Sequence, residues 1–271
     1  MRFAVPVARQ TRYEGRMNTL IPFLDADQLV LALAIAGLAG LVKGMVGFAM
    51  PMIMVSGLGT FLPPEIALAG LIIPTLTTNG MQALRQGARA ALASIHRFRV
   101  FLGVGLVMLL LSAQLVRMLH PSTFLLALGA SVTTFAIVQL LGLRLRLSGA
   151  SARVEAAFGA VAGFIGGLSG VWGPPTVMYL TALDTPKGEQ LRVQGVIYGL
   201  GAVALLGAHL TSGVMRAETL PFSVLLVAPA VLGMWIGGRF VDRVDQATFR
   251  KATLAVLLIA GANLVRRGLA G

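Results

Sequence analysis

Runs of uncharged, mostly apolar residues recur along the whole chain, at roughly 29–62, 66–84, 100–116, 122–143, 156–183, 193–215, 219–238 and 249–265. The first run is interrupted once, by Lys43. A helix crosses a hydrocarbon core in about 20 residues, so each run predicts a spanning segment. None shows the period-two alternation of a barrel strand. The expected fold class is therefore all-α: a polytopic membrane protein with about eight transmembrane helices. Acidic residues fall in the N-terminal arm, in connections or at segment edges, and Lys43 is the one charge deep inside a segment. Arg250 and Lys251 open the last run, where long side chains can snorkel to the interface.

Composition agrees with this pattern. Hydrophobic residues make up 56% of the chain and charged residues 12%, about half the share usual in soluble domains. A polar shell for a core of this size cannot be built from that, and a bilayer removes the need for one. The net charge of +12 does not point to nucleic acid. Its arginines sit in short clusters between apolar runs, Arg85, Arg89, Arg97 and Arg99 in one and Arg144, Arg146 and Arg153 in another. The positive-inside rule places them so, whereas a nucleic-acid footprint needs a contiguous basic face. With no cysteine and three scattered histidines, neither a metal site nor a cofactor is expected. Residues 1–26 form a basic arm with Arg2, Arg9, Arg12 and Arg16. It lacks the apolar core of a cleavable signal peptide, and Met17 is an alternative start.

Orientation follows cleanly from the first half. A cytoplasmic N-terminus and eight crossings put the arm and both arginine clusters inside. The second half reverses the rule, since Arg239, Arg243, Arg250 and Lys251 would then face outward. Either the first half outvotes them, or a glycine-rich segment enters and leaves by one face.

A duplication organises the chain. AIAGLAGLVKGMVG, from Ala34 to Gly47, matches AVAGFIGGLSGVWG, from Ala160 to Gly173. At one constant offset Gly37, Gly40, Gly44 and Gly47 fall on Gly163, Gly166, Gly170 and Gly173. The reading is an arm (1–26), a first four-helix repeat (27–143), a basic linker (144–154) and a second four-helix repeat (155–271). Pro51 follows the glycines in one half, and Pro174 and Pro175 in the other, so the first helix of each repeat should break. A break inside the bilayer is tolerated where backbone groups are buried in protein or line a wet cavity. Matching breaks in two halves point to a transporter's binding site. The half-helix after each break aims its N-terminal amides at that cavity, which favours an anion. Tight helix packing is the competing use of the glycines.

The stretches GLVKGMVGFAMPMIMVSGLGTFLPPEIALAG (41–70) and GFIGGLSGVWGPPTVMYLTALDTPKGEQLRVQG (163–195) resemble the sulfite exporter TauE/SafE family of bacterial permeases, over about residues 20–267. That resemblance implies movement of small anions, sulfite or organosulfonates such as sulfoacetate, across the inner membrane, and no enzymatic activity. Some members have denser glycine runs at the breaks, whereas here Phe48 and Pro174 directly follow the last glycines.

Lys43 is the sharpest candidate for chemistry. It lies about 16 residues after Asp27, on the order of 24 Å along a helix. An ammonium at that depth costs at least about 2.5–3.5 kcal/mol and should face a cavity or a partner. A sulfonate oxygen would be such a partner. The repeat mate of Lys43 is Ser169, an uncharged donor. Gly44, Gly47, Gly170 and Gly173 would line the breaks, with Trp172 as a pocket wall. Asn79 and Gln194, each one segment past a break, are the preferred polar pair, beside Thr75, Thr77, Thr78, Gln82 and Tyr198 as further donors. Arg192 would attract anions at the mouth. Expected partners are a small anionic substrate and the lipid bilayer, with no nucleic acid; a second copy of the chain is left open. Two rival classes remain. Gly167-Leu168-Ser169-Gly170 with His209 resembles the serine–histidine dyad of rhomboid intramembrane proteases, and a non-transporting membrane scaffold would bind no substrate at all.

Overall fold

The computed structural model describes residues 21, 23–115, 120–143, 147, 151–169, 172–183, 185–212, 214–240 and 245–270. Residues 1–20 and 22 of the arm, Gly170, Arg144, Arg146 and Arg243, and the side chains of Ser169 and Pro174, lie outside this description. Every regular element among the described residues is helical. In chain order they are α1 (Ala26–Val46), α2 (Met50–Leu58), α3 (Pro64–Leu84), α4 (Ala88–Arg97), α5 (Arg99–Leu115), α6 (Pro121–Leu140), α7 (Ala152–Ser169), α8 (Gly173–Ala182), α9 (Lys187–Ser212), α10 (Leu220–Leu225), α11 (Val227–Phe240) and α12 (Gln246–Leu269).

By length and composition, Ala26–Val46, Glu189–Leu210 and Leu220–Arg239 can each cross a membrane. The pair α4 and α5, bent by 79°, adds a fourth span if counted as one. Eight such spans are not reached among the described residues. The run 29–62 is two helices, α1 and α2, and the run 156–183 is two helices, α7 and α8.

The first break is built locally. The Asp25 carboxylate accepts from Gln28 N while the Gln28 side chain answers the Asp25 amide, a reciprocal cap that starts α1. Gly47 ends it at φ +89°, its N–H donating to Lys43 O at 2.7 Å. An L side chain rarely adopts that backbone. Pro51 stands in the first turn of α2, where no intrahelical N–H is needed.

Contacts fix how the helices run. Gly57 of α2 lies against Ile35 of α1, Met50 against Thr78 of α3, and Leu58 against Gly70. So α2 turns back along α1, and α3 reverses again. In α3 and α9, Gln82 and Ala83 meet Leu191 and Gly195 while Asn79 meets Gly199, an antiparallel pair. In α6 and α12, Thr133 meets Gly261 and Leu126 meets Gly268, again antiparallel. Two other pairs are parallel: Gly105 and Ser112 of α5 meet Gly163 and Gly167 of α7, and Gly40 and Gly44 of α1 meet Ala230 and Met234 of α11. A methyl on Gly40 would lie 2.0 Å from Ala230 O, and one on Gly163 2.0 Å from Gly105 O. These glycines hold helices at backbone contact, as small residues do in bilayers.

Each helix end is thereby placed. Leu147 N donates to Ala182 O at 2.9 Å, joining the connection before α7 to the end of α8. Arg97 on α4 pairs with Glu189 at the start of α9. That end of the bundle carries the ends of α3 and α8. The other end carries the start of α1, where Phe23 stacks edge-on against Phe222 at 5.7 Å.

One repair in α3 joins the halves. Pro74 has no N–H, which leaves the carbonyl of Gly70 without its helical partner. Ser223 Oγ, on α10, donates to Gly70 O at 3.3 Å and accepts from Ile73 N at 3.2 Å. Thr77 and Thr78 fold their hydroxyls back onto Ile73 O and Pro74 O.

Candidate functional site

Two breaks and two long helices meet around Lys43. Three residues before the end of α1, its side chain is 2% exposed, and Nζ donates to Asn79 Oδ1 of α3. Asn79 is fully buried. With its oxygen engaged by the Lys43 amine, its Nδ2 has no partner among the described residues. Two donors, an ammonium and a carboxamide N–H, are thus held together in a dry setting.

Next to them, Gly47 is pressed by α9 and α3. A methyl there would sit 2.4 Å from Leu191 Cδ2, 2.8 Å from Gln194 Oε1 and 3.3 Å from Gln82 Nε2. Gln82 Nε2 donates to Leu191 O at 2.8 Å. Gln194 is 2% exposed and its Oε1 has no partner among the described residues. A buried, unpaired amide is costly, about 1–3 kcal/mol, and persists where a ligand or water completes it.

The second break closes on the first. Phe48 lies 3.3 Å from the position a Cβ would take on Gly173, and Tyr198 OH donates to Gly173 O at 3.3 Å. Trp172 is buried against Gly166 and Gly201, and Thr176 caps its carbonyl at 2.8 Å. Behind Trp172 lies a cavity of about 550 Å³ lined by Phe101, Leu109, Ile197 and Ala204 among others. Its walls are apolar, so it offers an anion nothing.

The sequence-predicted residues separate into groups. Lys43, Asn79, Gly47 and Gln194 cluster around the first break, and Trp172 and Gly173 adjoin it across Phe48 and Tyr198. Gly44 instead packs on α11, where a methyl would be 2.2 Å from Met234 O. Arg192 lies toward the α3–α4 connection, with Nε donating to Ser94 Oγ at 3.1 Å, Nη1 to Gln86, and Nη2 3.6 Å from Glu189. Glu189 also pairs with Arg97 at 2.8 Å. This cluster beside the start of α9 escaped sequence reasoning. The 92-residue separation of Arg97 and Glu189 leaves no local signal. Gly170 and the Ser169 side chain lie outside the described residues.

No carboxylate stands near Lys43 among the described residues. Glu155, the buried one, accepts from Phe101 N at 2.9 Å at the start of α5. A family model described as sulfite exporter TauE/SafE matches residues 32–264. The chain belongs to the sulfite exporter TauE/SafE family. No curated protein and no solved structure matches it. TauE/SafE proteins are membrane permeases, and the apolar helices found here fit a multi-pass membrane protein of that class. Nothing in the family supports the serine–histidine alternative. His209 also lies eight residues, about 12 Å of helix, beyond the Gly201 that touches Trp172.

Proposed function

We propose that this TauE/SafE protein moves small sulfur oxyanions, sulfite or organosulfonates such as sulfoacetate, across the plasma (inner) membrane by alternating access. Lys43 supplies the charge that holds the anion, Asn79 Nδ2 donates a hydrogen bond to it, and Gln194 Oε1, an acceptor, takes a water or a substrate hydroxyl beside it. Gly47 and Gly173 keep the backbone of both breaks open to it, with Trp172 and Phe48 as walls. Ser169 and Gly170 belong to the second break by their register. Arg192 acts at the mouth. The observation that carries this reading is a buried lysine amine whose hydrogen-bond partner among the described residues is a neutral amide. A permanently buried charge without a counter-charge is strongly unfavourable, and an arriving anion provides one.

The helix directions support a specific architecture. Residues 27–143 and 155–271 form two inverted repeats. α3, α5, α6, α9, α11 and α12 make six crossings, and α1–α2 and α7–α8 are hairpins entering from opposite faces, in place of eight crossings. Corresponding helices α3 and α9 are antiparallel, as are α6 and α12, as an axis in the membrane plane requires. The basic stretches 85–99, 144–153 and 239–251 then share one face, which the positive-inside rule makes cytoplasmic. The reversal in the second half disappears. The start of α1 falls on the outer face, and the arm's four arginines run against the rule; a chain read from Met17 lacks all four.

The test is anion flux in proteoliposomes with sulfite, sulfoacetate, thiosulfate and isethionate, repeated with Lys43→Ala. Saturable flux lost in the variant is expected. Flux unchanged by Lys43→Ala removes the proposed site, and no binding or flux of any of these anions favours a scaffold.

A further inference from the structure

Lys43 sits where two requirements conflict. Loaded, its ammonium is neutralised by the anion. Empty, the same side chain faces Asn79 alone, 2% exposed, and the carrier must return through a closed state with it. The groups around it offer no relief among the described residues. α2 carries no charged residue, and α3 offers Asn79, with Glu65 and Arg85 near its two ends, both exposed. α8 brings Tyr179, packed among Phe98, Phe101 and Phe158. α9 brings Tyr198, bonded to Gly173 O, and Arg192, engaged by Glu189. α11 brings Arg239, exposed and stacked over Trp235 at 3.5 Å; its charge has the same sign as Lys43.

An amine in that position has a way out that an arginine lacks: it can release its proton. We infer that Lys43 is the coupling group of the transporter, taking up one proton with each anion and releasing both on the other side. The inference rests on the permease reading of the Lys43 site. At the open face the neutral amine, a proton from water and the anion combine into an ammonium–anion pair. After reorientation the anion leaves, the N–H bond breaks and the proton returns to water on that side. No charge is left behind, so the empty carrier crosses neutral. Asn79 suits both forms, since its carboxamide oxygen accepts from ammonium and amine alike, and its free Nδ2 faces the anion or the amine lone pair. A monoanion thus moves with no net charge, and no carboxylate relay is needed.

The test uses wild-type proteoliposomes, an entrapped pH indicator and a potassium–valinomycin potential. Isethionate is the preferred probe because its sulfonate stays ionised, so any proton that moves is carried by the protein. The coupling predicts internal acidification during uptake, one proton per isethionate, and a rate changed less than about twofold by 100 mV. A bare anion crossing that potential would respond by up to about fifty-fold, equivalent to about 2.3 kcal/mol. Lys43→Arg, with a permanent charge, should keep isethionate homoexchange while net flux falls at least tenfold. Lys43→Met should lose both. Should isethionate not move, the fastest anion of the panel takes its place, and one proton beyond those bound to the anion itself is expected. Lys43-dependent flux without acidification and accelerated by potential overturns the coupling and leaves the permease reading standing. Absence of Lys43-dependent flux for every anion overturns both. If Lys43→Arg does not fold, the wild-type proton count and potential dependence decide.

Discussion

The amide of Leu147 donates to the carbonyl of Ala182 at 2.9 Å, so the connection into α7 and the end of α8 lie at the same end of the bundle. A segment that starts and finishes at one end of the bundle does not traverse the bundle. The absence of cysteine makes this directly testable with single cysteines at exposed positions and a membrane-impermeant thiol reagent. Gln86, Leu143 and Pro186 should be labelled from the cytoplasmic side, and Thr60 and Glu218 from the outside. Eight crossings predict instead that 186 labels from the side opposite 86 and that 218 labels from the same side as 86. Labelling in that second pattern would remove the inverted architecture.

Much of this was legible in the sequence, for reasons that differ by residue. The glycine register at Gly37, Gly40, Gly44 and Gly47 pointed to places where helices touch or end, because glycine serves close approach and left-handed backbone, and both occur here. What sequence could not say was which need each glycine meets. Gly40 and Gly44 are backbone contacts to α11, whereas Gly47 carries the positive φ. The number of apolar runs did not settle the number of crossings, since hydropathy is the same for a helix that traverses and one that turns back. Lys43 stood out because an ammonium in an apolar run is expensive. Its pairing with Asn79, 36 residues on, needed coordinates, as did the Glu189 cluster.

Gly47→Ala should be the most damaging glycine substitution at the site. A left-handed alanine costs roughly 1–2 kcal/mol, and its methyl would strike Leu191 and Gln194. Anion flux is expected to fall more than tenfold, with a lowered melting temperature in detergent. Gly80→Ala is the control: it lies on α3 next to Asn79, its added methyl meets nothing within 4 Å, and helix propensity favours it by up to about 1 kcal/mol. Equal effects of the two substitutions would show that the backbone at the break is not special.

Ser223→Ala should destabilise the fold through α3, although Ser223 is on α10. It removes the donor to Gly70 O, a carbonyl already deprived by Pro74, and leaving such a group unpaired costs about 1–3 kcal/mol. Pro74→Ala restores an N–H to the ladder, so the serine should matter less in that background. A double-mutant cycle by thermal unfolding in detergent is expected to give a Ser223→Ala penalty at least halved when Pro74 is absent. Strict additivity would mean that the hydroxyl does not compensate the proline.

Glu189 holds Arg97 and Arg192 together, with Arg97 at 2.8 Å and Arg192 at 3.6 Å. Both arginines are partly exposed, 57% and 20% by side chain, so the pairs themselves stabilise the fold by less than about 1 kcal/mol. Their larger effect is on approaching anions, because the carboxylate cancels one of two positive charges beside the start of α9. Glu189→Gln keeps the shape and the hydrogen-bonding reach while releasing that charge. The half-saturating anion concentration should fall about two- to fivefold at low ionic strength. At 1 M salt the screening length drops to about 3 Å, and the difference from wild type should vanish. Arg192→Gln should shift half-saturation the opposite way under the same low-salt conditions. If neither substitution moves it, or if the shifts persist in high salt, the cluster joins helices and does not steer substrate.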